Sequence, residues 1–100
     1  MVTETKTEHP HVVRVKGEAG EKAVMVGTNL SVWWLIRQLR AGDTPEIIAA
    51  EFSHASIAAI YDAISYYYDH RSEIDPIIED ADRRVAEQDA ADDGAQVRRA

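Results

Sequence analysis

The sequence predicts an α+β domain: a small N-terminal β-hairpin followed by a helical unit of three to four helices that contains a helix-turn-helix. Three observations carry this. β-branched residues cluster around two glycines in the first quarter of the chain. From Val32 onward, apolar residues recur at three- and four-residue intervals. Capping residues then cut that periodicity into separate helices. The chain holds 100 residues, 45% of them hydrophobic and 29% charged, which suits one globular core and leaves too little for a second.

Residues 1–8 form a polar, flexible leader expected to fray. The run His11-Val12-Val13-Arg14-Val15 partly alternates and predicts a strand, Gly17 and Gly20 punctuate a turn, and Ala23-Val24-Met25-Val26 predicts the returning strand. Such a hairpin is too small to stand alone and must pack on helices or pair with a second copy.

Ser31 is the expected cap of the first helix, with Val32, Leu35, Ile36 and Leu39 on one face and Gly42 as its stop. Thr44-Pro45-Glu46 opens a short second helix, and Ser53-His54-Ala55-Ser56 makes the turn into a third. On the third helix, Ile57, Ile60, Tyr61, Ile64 and Tyr68 are expected to form the core face. Asp75-Pro76 is expected to restart or kink the chain, Ile77, Ile78, Ala81 and Val85 give a narrow stripe beyond it, and residues 92–100 should be a loose tail. The domain proper spans 9–79, followed by an acidic C-terminal helix and tail over 80–100.

Composition excludes several function classes. No apolar run approaches the roughly 20 residues that span a bilayer, so no membrane role is expected. The absence of cysteine removes disulfides, thiol nucleophiles and thiolate metal sites, and points to the cytoplasm. A net charge of −7 opposes non-specific binding to nucleic acid.

The segment from Thr44 to His70 has the layout of a DNA-reading helix-turn-helix. From Ala41 to His70, however, Asp43, Glu46, Glu51, Asp62 and Asp69 face no lysine or arginine, so the basic footprint of a recognition helix is missing. Arg14, Lys16 and Lys22 on the hairpin are the remaining nucleic-acid candidates, interleaved with Glu18 and Glu21. His54, Asp62, Asp69 and His70 can be assembled into a metal or acid/base set. None of them forms the i, i+4 histidine pair of a helical zinc site, and no nucleophile accompanies them. No catalytic residue, metal or cofactor is therefore expected, and the four histidines read as surface and turn residues. Trp33-Trp34 and Tyr66-Tyr67-Tyr68 place neighbours about 100° apart on helices, so one buried face cannot hold them all. Trp33, Trp34, Tyr66 and Tyr67 are accordingly dimer-interface candidates.

From His9 to about Glu79 the chain resembles the bacterial family catalogued as domain of unknown function 433. The resemblance lies in Gly27-Thr28-Asn29, Gly42-Asp43-Thr44-Pro45-Glu46-Ile47, Phe52-Ser53-His54-Ala55 and Ala63-Ile64-Ser65-Tyr66-Tyr67-Tyr68-Asp69-His70. Asn29 stands where that family typically has arginine, and Ser53 where it has a turn proline. The resemblance implies a hairpin with a helix-turn-helix, a homodimer, and an antitoxin role beside a PIN-like ribonuclease toxin. The expected function is non-enzymatic neutralisation of such a toxin by direct binding. Arg83 and Arg84, then Arg98 and Arg99, are the candidates to enter its carboxylate cluster, while the acidic segment, net −4 over residues 71–100, lies along a basic groove. The alternatives are a dimeric DNA-binding regulator and an interaction module without a toxin.

Overall fold

A computed structural model describes residues 3–18 and 20–99, with side chains described only as far as residue 90. Its elements are β1 (Thr3–Lys6), β2 (Val12–Gly17), β3 (Gly20–Met25), α1 (Val32–Arg40), α2 (Pro45–Glu51), α3 (Ile57–Asp69) and α4 (Arg71–Arg99). The α+β class holds, but the hairpin is part of a three-stranded antiparallel sheet in the order β1-β2-β3.

The third strand comes from the expected leader. Thr3, Glu4, Thr5 and Lys6 pair with Lys16, Val15, Arg14 and Val13, so a stretch with nothing to bury is held by its backbone hydrogen bonds instead. All four residues are exposed, and threonines alternating with the charged Glu4 and Lys6 suit an edge strand. Between β2 and β3, Gly17 pairs with Gly20, whose φ of +114° is open to glycine at no steric cost.

Helix boundaries follow the capping chemistry. The Thr44 hydroxyl oxygen accepts the N–H of Ile47 (3.1 Å), with Pro45 in the first turn, and the Ser56 hydroxyl accepts the N–H of Ala59 (3.1 Å). Ser31 precedes α1 without a side-chain cap and instead bridges to Val24 of β3, while Gly42 at φ +112° ends that helix. The break expected at Asp75-Pro76 lies at His70 instead (φ −133°, ψ 40°), and Pro76 sits inside α4. Proline there removes only the N–H that would reach the carbonyl of Ser72, an exposed position where water can take that carbonyl. The α4 backbone also continues as helix through the stretch expected to be a loose tail.

The core lies between the inner face of the sheet and the helices. Val12 and Met25 meet Val32, Leu35, Ile48, Ile60, Ile74 and Ile78, all essentially without exposure. The core face of α3 differs from expectation. Ala59, Ile60, Ala63, Tyr66 and Tyr67 are buried, whereas Ile57, Tyr61 and Tyr68 are 41%, 52% and 66% exposed. Alanines at 59 and 63 let the helix approach its neighbours closely, and the tyrosines reach past them to polar partners.

Candidate functional site

Polar side chains from β2, α3 and α4 meet along one seam. Its centre is His9, in the turn between β1 and β2. The Thr7 hydroxyl accepts the His9 N–H (3.1 Å), and the His9 carbonyl accepts the N–H of Val12 (3.0 Å), which closes the turn over Pro10 and His11. His9 is a turn residue, as expected of the histidines, but at 8% exposure it is not a surface one. Its Nδ1 is 3.0 Å from Asp62 Oδ1 and its Nε2 is 2.8 Å from Asp69 Oδ2, with the Tyr66 ring edge-on at 5.5 Å. Asp62 and Asp69 are two turns apart on α3, so both project from the face that carries Tyr66. Burial pulls the His9 imidazole toward neutrality, but the bonds to Asp62 and Asp69 outweigh it and hold its pKa above the ordinary histidine value.

Asp62 also accepts the His11 N–H (2.8 Å) through its other oxygen. Burial raises the Asp62 carboxyl; that N–H and the two histidine rings more than reverse the effect and leave it below the usual range. His70 stacks on Tyr66 with ring centres 4.2 Å apart, and its Nε2 meets Glu8. Asp62, Asp69 and His70, three of the four residues singled out in the sequence, are thus brought together. His54 is not among them: it is exposed in the α2–α3 turn and lines a groove of about 620 Å³ with Asn29 and Phe52. Glu8, His9 and His11 complete the group, and their partners lie more than 50 residues away in sequence, where no local spacing could reveal them.

Two further clamps extend the seam. The Tyr66 hydroxyl accepts from Arg14 Nη1 (2.8 Å) and donates to Glu73 (3.1 Å), while Arg14 also pairs directly with Glu73 and Glu21. Burial, reinforced by Glu73, pushes the Tyr66 phenol up to about 12. The Tyr67 hydroxyl accepts from Arg40 Nη2 (2.7 Å) and donates to Asp75 (2.6 Å). Tyr66 and Tyr67 are therefore 1% and 5% exposed, and their proposed place at a dimer interface is corrected: polar tips that needed partners found them within the chain. Trp33 and Trp34 are half-buried, Trp34 edge-on to Phe52 at 5.4 Å.

The surfaces left open are of two kinds. Ile57, Tyr61 and Tyr68 are exposed along one stripe of α3, with half-buried Ile64 between them; the neighbouring Ala58 and Ser65 add no charge, and the Tyr61 hydroxyl donates to Glu46 of α2 (3.1 Å). In α4, every residue from Asp82 to Ala90 is exposed. Arg83 and Arg84, with side chains 64% and 77% exposed, pair only with Asp80 on their own helix among the described residues. The side chains of Arg98 and Arg99 lie outside the described residues. Of the nucleic-acid candidates, Arg14 is committed to Glu21 and Glu73, leaving Lys16 and Lys22 exposed on the sheet. Among the described residues no helix is long and apolar enough to cross a membrane.

No curated protein and no solved structure matches the chain. A family model described as Protein of unknown function (DUF433) matches residues 12–67, from the first residue of β2 to the second buried tyrosine of α3. That is more than half of the chain and spans the sheet core, both helices of the helix-turn-helix and the Asp62 anchor. The chain belongs to the DUF433 family.

Proposed function

We propose that the chain is a non-enzymatic, antitoxin-like protein that neutralises a PIN-like ribonuclease by direct binding, with the outer half of α4 as the binding arm. The observation that carries this is that α4 outruns its own core. Ile74 and Ile78 are buried and Ala81 is half-buried, but beyond it nothing to residue 90 is covered. A helix that is polar all round and packs on nothing is marginal by itself and gains its stability from a partner. Its charges suit an enzyme with a basic RNA groove and a carboxylate centre. Glu79, Glu87 and Asp89 supply the acids, and Arg83 and Arg84 the cations. Exposed pairs such as Arg83–Asp80 contribute at most about 0.5 kcal/mol, so a partner's carboxylates readily take either arginine over.

A homodimer belongs to this reading. In a protein of charge −7, two copies repel over most of their surface; the α3 stripe carries no charged side chain of its own, with Glu46 meeting it only at the Tyr61 hydroxyl, so copies that meet there oppose few like charges. The absence of lysine and arginine from α3 places DNA reading second.

The test is inhibition of the partner ribonuclease by purified protein. Replacing both Arg83 and Arg84 by alanine should weaken inhibition at least tenfold, since charged groups in contact at such interfaces typically cost more than about 1.4 kcal/mol when removed. Undiminished inhibition by the double variant would exclude these arginines as the inserted group.

A further inference from the structure

The seam holds a group of donors that the partner-binding reading does not use. Glu8, His9 and Asp69 each offer a ligand atom, all within 4.8 Å of one another, and His70 Nε2 meets the same Glu8 oxygen that faces His9. We propose that Glu8, His9 and Asp69, with His70 standing beside Glu8, form a structural site for a divalent transition-metal ion of the zinc type, which pins the β1–β2 turn to the junction of α3 and α4.

Three features of the geometry carry this. First, the donors are the buried imidazole nitrogen of His9 and two carboxylate oxygens, a mixed set that suits zinc and its neighbours better than magnesium or calcium, which take oxygen alone. Second, the spacing fits. Ligands in a tetrahedron at zinc's bond lengths lie about 3.3 Å apart, and three protein ligands leave the fourth position to water. His9 Nε2 stands 2.8 Å from Asp69 Oδ2 and 3.7 Å from Glu8 Oε1, on either side of that value. Third, His9 is held as a ligand is held. Its Nδ1 bonds Asp62, its ring is buried against the Tyr66 edge, and its Nε2 points at the other donors. A carboxylate behind the far nitrogen is the usual outer-shell partner of a metal-bound histidine.

Charge balance points the same way. Glu73, Asp75 and Asp82 are each paired with arginine. Among the described residues Glu8, Asp62 and Asp69 meet only histidines, so three carboxylates converge with no lysine or arginine to offset them. A divalent cation replacing the proton on His9 Nε2 supplies that charge.

The test is calorimetric titration of the full, chelator-treated chain with zinc ion alone, alongside its thermal unfolding. One ion per chain should bind, with a rise in Tm, and magnesium at the same concentration should do neither. His9→Gln can fail by unfolding, so the exposed ligands provide the decisive variants. Glu8→Gln and Asp69→Asn should each weaken binding by at least tenfold while keeping the helical spectrum. Asp62→Asn, which only orients His9, should weaken it by about 10- to 100-fold. His54→Gln should leave it unchanged. No saturable zinc binding, or equal affinity in Glu8→Gln, Asp69→Asn and the unaltered chain, would overturn the assignment. Neither result bears on ribonuclease inhibition, which rests on α4.

Discussion

Tyr66 and Tyr67 show what single residues contribute here. Neighbours on a helix point about 100° apart, and both are buried because each hydroxyl meets an arginine and a carboxylate: Arg14 and Glu73 for one, Arg40 and Asp75 for the other. The sequence announced the problem of consecutive aromatics but not this solution, because Arg14 lies 52 residues from Tyr66. His9 was illegible for the same reason, its partners being fixed by the tertiary fold. Asp75 gives a pH prediction. The Tyr67 hydroxyl, with Arg40 and Arg71 behind it, holds its carboxyl below the usual aspartate range. A carboxyl lowered on folding contributes stability that is complete above its unfolded pKa of about 4 and is lost as pH falls through the lower folded value. Asp75→Asn should therefore be less stable at neutral pH and show a shallower loss of stability on acidification from about pH 5. Urea midpoints across that range check this; curves that run parallel for the two proteins would rule the contribution out.

At the scale of elements, the caps were legible and the faces were not. Thr44, Pro45 and Ser56 act locally, so their roles can be read from three or four residues. The buried face of α3 cannot, because that helix is apolar nearly all round: 57-61-64-68 and 59-63-66 are equally periodic. Tertiary packing chose the stripe with the alanines, which admits close neighbours, and left Ile57, Tyr61 and Tyr68 of the bulkier one outside. β1 escaped notice because a strand held only by its ladder needs no apolar alternation. For α4, the prediction is that ending the chain after Asp82 changes folding stability by less than about 0.5 kcal/mol, as expected for surface without tertiary partners. Asp82 is retained because it receives Arg37 Nε at 2.6 Å. Denaturant midpoints of the two lengths decide it, and a marked loss would mean that the arm supports the core.

The whole molecule is larger than its residue count requires. Its radius of gyration is 15.8 Å, against about 13 Å for a compact 100-residue domain, and its long axis measures 52 Å. The excess is the α4 arm, which sequence patterning gave only as a polar region with a fading apolar stripe. The uncharged α3 face is the other global feature, since it interrupts a surface of net charge −7. If the chain pairs through this face, as proposed, light scattering should show a dimer for the unaltered chain and a monomer for Tyr61→Glu together with Tyr68→Glu, without loss of helix. An unchanged dimer mass would move the interface elsewhere, with half-buried Trp33 and Trp34 the next residues to replace.

Recognition of a ribonuclease by the α4 arm, as proposed, is open to direct measurement. Tagged full-length chain and tagged chain ended after Asp82 are used as baits in lysate from the source cells, and co-purifying proteins are quantified by mass spectrometry. A PIN-like ribonuclease should be recovered in near-equal amount with the longer bait and lost with the shortened one. Recovery of the homodimer alone, or equal recovery of the nuclease by both baits, would contradict that proposal.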